Sequence, residues 1–117
     1  MSESILNEIE LLIKNKKINE AQLEISKLGP EFYKNVEYLF LRSKIFYSNK
    51  LYYQALDALL IATEFGKNNK IYDLISKIYN ILGNKDLSKK ISNPDSQLQA
   101  IKSLKKEVTG ISQKEES

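Results

Sequence analysis

The chain of 117 residues contains no cysteine and no histidine. Without a thiolate or an imidazole there is no disulfide, no ordinary zinc site, no cysteine nucleophile and no His-based acid-base catalysis. Most enzyme chemistry leaves with them, and no cofactor or catalytic residue is expected. Arginine is almost missing as well, since Arg42 is the only one among the 18 basic residues. Phosphate and base-edge recognition lean on the guanidinium fork, so a dedicated nucleic-acid binder is disfavoured. No apolar run approaches the roughly 18 residues needed to cross a bilayer. The start Met1, Ser2, Glu3, Ser4 places no basic segment before the first apolar residues, and a cytoplasmic protein is expected.

What is present suits a folded single domain: 42% hydrophobic and 28% charged residues lie close to ordinary globular usage. The apolar residues fall at helical intervals. Ile5, Leu6, Ile9, Leu12 and Ile13 line one stripe, with Ser2 or Ser4 as its cap, and Ile18, Ala21, Leu23, Ile25 and Leu28 line the next, ended by Gly29 and Pro30. A second pair runs through Val36, Leu39, Phe40, Ile45, Phe46 and Tyr47, then Tyr52, Ala55, Leu56, Leu59 and Ala62, closed by Gly66. The third carries Ile71, Tyr72, Ile75, Ile78, Tyr79 and Leu82, turns at Gly83 and Asn84, and ends early at Asn93 and Pro94. Leu98, Ile101, Leu104 and Val108 then predict an amphipathic helix capped by Asn93 or Asp95, followed by a frayed polar tail.

Ala21, Ala55 and Ser88 occupy matching places in the second helix of each pair, at spacings of 34 and 33 residues. A fixed period in this range signals stacked helical hairpins, none of which buries its apolar face alone. With Leu39, Ser43, Phe46, Tyr52, Ala55, Leu59 and Ala62 in the second unit, and Tyr72, Ser76, Tyr79, Leu82 and Gly83 in the third, the sequence resembles the tetratricopeptide repeat family. It departs from the family pattern at Ile9, Leu28 and Lys67, and Arg42 stands where a Leu is usual. The resemblance, which covers about residues 2–92, implies an all-α, right-handed solenoid of three hairpins over residues 1–92; the stripe that follows gives a capping helix over 93–108, and its loss a disordered polar tail over 109–117.

The resemblance also implies a non-catalytic interaction module, a small adaptor or co-chaperone-like protein whose first helices line a concave groove. The family's ligand-facing register selects Leu6, Glu10 and Ile13, then Phe40, Lys44 and Tyr47, then Asp73, Lys77 and Asn80. Aromatics flanked by Lys44 and Lys77 suit a peptide or helix with apolar anchors and acidic groups. Leu6 and Glu10 stand where the carboxylate-gripping subclass has Lys and Asn, and Lys70 alone does not restore that clamp. Two other readings stay open. Phe40 and Tyr47 pack against the C-terminal helix or a second copy of the chain in a self-associating subunit. Alternatively Lys85, Lys89, Lys90, Lys102, Lys105 and Lys106 meet RNA or another acidic surface. Glu8, Glu10, Glu20 and Glu24 read as solvated helix faces, with Glu20 and Glu24 one turn apart.

Overall fold

Each apolar stripe folds as a helix, and the helices pair. α1 (Ser2–Lys14) and α2 (Ile18–Ser26) form the first hairpin, α3 (Val36–Ser48) and α4 (Tyr52–Ala62) the second, α5 (Asn69–Ile81) and α6 (Lys85–Ser92) the third, and α7 (Gln97–Glu116) follows. The computed structural model describes the backbone of residues 2–116 and the side chains of residues 4–105, 108 and 111. Among these the chain is all-α, with no strand.

The three hairpins share one turn. Lys16 (φ 61°), Lys50 (φ 62°) and Gly83 (φ 86°) adopt left-handed backbone at equivalent positions. The next amide reaches five residues back in each case: Lys17 N–H donates to the Leu12 carbonyl at 2.8 Å, Leu51 to Phe46 at 2.9 Å and Asn84 to Tyr79 at 2.9 Å. This closure satisfies carbonyls that the end of a helix leaves free, and it reverses the chain. The second helix then opens identically, with Ala21, Ala55 and Ser88 donating to Lys17, Leu51 and Asn84 at 3.0, 3.0 and 3.1 Å. The 34- and 33-residue spacing therefore recurs in the backbone itself.

Small residues sit where the helices of a pair cross. Ala21, Ala55 and Ser43 are fully buried, which lets backbones approach to about 8–10 Å. In the third hairpin three serines take this role. Ser88 Oγ donates to the Ser76 carbonyl at 2.8 Å, Ser92 Oγ donates to the Ser88 carbonyl at 3.0 Å, and Ser76 Oγ lies 2.7 Å from Ser92 Oγ. Between hairpins, α3 packs on both α1 and α2, and α5 packs on α4. One apolar cluster runs from Leu6 to Val108.

α7 packs along α4 and α6, the second helices of their pairs, and buries Ala100, Ile101, Leu104 and Val108. Several local expectations change. α1 already includes Ser2 and Ser4, so Ser4 is not its cap. Asn93 does not cap α7 directly: its side-chain oxygen accepts from Asp95 N–H at 2.9 Å in a turn, and the helix begins at Gln97. The helix also continues to Glu116, past the end expected at Val108, because Gln113, Lys114, Glu115 and Glu116 favour helix without needing burial. Ser117 of the expected tail lies outside the described residues. Leu23 and Leu98, counted in apolar stripes, are exposed. Gly66 does not cap α4, whose C-cap is Thr63; a Cβ there would meet Val36 Cγ2 at 3.0 Å, so Gly66 permits a close return of the loop to the start of α3.

Candidate functional site

The nine residues expected to line a groove divide by helix. Leu6 and Ile13 of α1 are buried in the apolar cluster, and Glu10 pairs with Lys14 at 3.3 Å along the same helix. On α5, Asp73, Lys77 and Asn80 are all exposed. The residues of α3 lie between: Phe40 is only 9% exposed, while Lys44 and Tyr47 are half-buried. The face is thus graded, from core at α1 to polar surface at α5.

One cluster is brought together. Lys44 Nζ lies 5.4 Å from the centroid of the Phe40 ring, and Lys77 Nζ reaches from α5 to lie 5.4 Å from the Tyr47 ring. The Tyr47 ring meets Tyr52 edge-on at 5.8 Å. Each ammonium is drawn to the negative face of its ring, a contact of about 0.5–1 kcal/mol where water has access. Two cations over two aromatic faces make a surface that is apolar beneath and positive above.

The Lys-rich end is less available than its composition suggests. Lys105 donates to Glu64 Oε1 at 2.8 Å, tying α7 to the segment after α4. Lys85, Lys89, Lys90 and Lys102 are exposed, and the Lys106 side chain lies outside the described residues. Among the acidic residues, Glu24 pairs with Lys27 at 3.0 Å. No three acidic side chains among the described residues stand close enough together to hold a metal ion. No helix among the described residues is long and apolar enough to cross a membrane.

Two features escape the periodicity. Leu11 and Leu23, each 59% exposed, flank a groove of about 590 Å³ on the α1–α2 hairpin, with Glu8, Glu20 and Glu24 at its edge. A second cleft, of about 300 Å³, opens between α2 and α3 beside Arg42. Its aromatic wall combines Tyr38 and Phe46 of α3 with exposed Tyr33 of the linker, whose ring lies 6.1 Å from that of Tyr38; Phe32, in a short 3-10 turn over Pro30–Phe32, packs 6.0 Å from the Tyr38 ring without lining the cleft. The only sequence signal for it is an arginine at a place that is apolar in the third repeat, Ile75.

No family model, no curated protein and no solved structure matches the chain.

Proposed function

We propose that this chain is a non-catalytic interaction module, a right-handed stack of three tetratricopeptide-like hairpins that binds a peptide or helix across its first helices. The single observation that supports this reading is the position of α7. It packs on the second helices, α4 and α6, and so uses the opposite member of each pair from the one carrying Phe40, Lys44, Tyr47 and Lys77. The preferred ligand has an apolar or aromatic anchor to lie against Tyr47 and an acidic group to meet Lys44 and Lys77. Phe40 serves as the buried floor.

The test is selection of peptides from a randomised library against the full chain, followed by calorimetry on the best binder. Acidic-aromatic peptides are expected, and Tyr47→Ala combined with Lys77→Glu should weaken them by about tenfold or more, the scale of one or two lost contacts. Unchanged affinity in that variant rules the face out.

A self-associating subunit is the second reading, favoured by exposed Leu11 and Leu23 on the α1–α2 hairpin. Light scattering separates the two. A dimer dispersed by Leu11→Ser with Leu23→Ser supports self-association, and a monomer at all concentrations removes it.

A further inference from the structure

Arg42 projects from α3 about 200° round the helix from Phe40, hence away from the face that carries Lys44 and Tyr47. Its counterpart one repeat later, Ile75, is completely buried, whereas Arg42 is exposed and borders the cleft of about 300 Å³ between α2 and α3. Its counterpart one repeat earlier, Glu8, is likewise charged and exposed, and at Arg42 the charged group borders interhelical space that stays open.

The cleft is lined on one side by Gln22, Ile25 and Leu28, and on the other by Tyr38, Arg42 and Phe46. The guanidinium carbon lies 5.2 Å from the centroid of the Phe46 ring, which holds the head group without neutralising it. No ion pair among the described residues includes Arg42. Gln22 Oε1 accepts from Asn49 Nδ2 at 3.4 Å, so the Gln22 amide is oriented with its N–H₂ still able to donate. The Tyr38 residue is only 5% exposed, and its hydroxyl has no hydrogen-bond partner among the described residues. Since none of the described side chains holds a polar atom that is both enclosed and unpaired, that hydroxyl opens to solvent, and the cleft is the space the residue borders. Cation, amide donor and phenol therefore surround a space with Ile25, Leu28 and Phe46 in its walls.

We propose that the α2–α3 cleft binds a single carboxylate carried on an apolar body, such as an arylacetic acid or the end of a peptide with an apolar last residue. The planar guanidinium takes a carboxylate through two parallel hydrogen bonds, and the walls take the apolar part. One cation without a second beside it matches one negative charge. A phosphate monoester, with a charge near two, is matched poorly.

The test is an amide-resolved NMR titration of the full chain with phenylacetate, phenylacetamide and phenyl phosphate. Phenylacetate should produce saturable shifts at Gln22, Ser26, Tyr38 and Arg42, and the uncharged amide should not reproduce them. A peptide ending in a free Phe carboxylate should bind and its C-terminally amidated form should not, if the source is a chain end; binding of phenylacetate alone assigns the site to small organic acids. Arg42→Leu should weaken phenylacetate by about tenfold or more while leaving the urea midpoint unlowered, because leucine fills the cleft as isoleucine does at 75. Should that variant fail to fold, Arg42→Gln, which keeps the stem and drops the charge, carries the same expectation for binding. Absence of saturable shifts, equal binding of phenylacetamide, tighter binding of phenyl phosphate, or full affinity in a folded Arg42 variant overturns the proposal.

Discussion

Lys16 and Lys50 hold φ near 61° and 62°, a region where a Cβ crowds the following carbonyl, while Gly83 does the same work at 86° without one. The conformation costs a non-glycine residue about 1–2 kcal/mol, of which the extra freedom of glycine in the unfolded chain takes back about 0.5–1 kcal/mol on replacement. Lys16→Gly and Lys50→Gly should therefore each raise the free energy of unfolding by about 0.5–1 kcal/mol, and Gly83→Ala should lower it by a similar amount. Urea denaturation of the three variants checks both signs. Gly83 was legible as a turn because glycine is a turn signal. Lys16 and Lys50 were legible only as interruptions of the apolar pattern, since lysine carries no preference for left-handed backbone. The same limit hid the fate of Leu23 and Leu98: a leucine at helical spacing shows that a face is apolar, not that anything covers it.

At the scale of the hairpin, the crossing residues decide how near two helices come. Ala55 of α4 is fully enclosed, and α4 packs on α3, so Ala55→Leu adds atoms to a place with no room and should destabilise by about 1–3 kcal/mol. Ser76→Ala should cost about 1 kcal/mol or less, because Ser88 Oγ and Ser92 Oγ keep their carbonyl acceptors and no donor is stranded. Thermal unfolding of the two variants side by side tests whether the crossing is governed by volume or by hydrogen bonding; a larger loss in Ser76→Ala would reverse the account. Helix identity was readable here because the 3.6-residue period persists over every element. Helix ends were less so. The start of α7 at Gln97 depends on the turn in which Ser96 Oγ donates to the Lys90 carbonyl and Gln97 Nε2 to the Ile91 carbonyl, contacts between side chains and a neighbouring helix that a stripe of apolar residues does not encode.

Across the whole molecule, α7 contributes Ala100, Ile101, Leu104 and Val108 to the apolar cluster and crosses from the third hairpin back to α4 of the second. It ties two units together at a distance in sequence that neither hairpin spans. Leu104→Ala should destabilise by about 2–4 kcal/mol, and its unfolding should remain a single transition, since the cluster is shared. Calorimetry that resolved an early separate melting of α7 would contradict this. The Lys105–Glu64 pair on the same helix is partly exposed and should matter little: Lys105→Ala is expected to cost about 1 kcal/mol or less at moderate salt, read from the same calorimetric series.

The order of amino acids alone determined that this chain is helical, where the first six helices lie to within a few residues, and that its hairpins recur at intervals of 34 and 33 residues, because propensity, periodicity and turn residues are local and act over a few positions. Only the folded chain decided that α7 lies on the second helices, that Leu6 and Ile13 belong to the core while Tyr47 and Lys77 meet at the surface, and that Arg42 borders an open cleft. Each of these depends on which of several equally apolar faces comes together, a choice made by the fit of whole helices against one another.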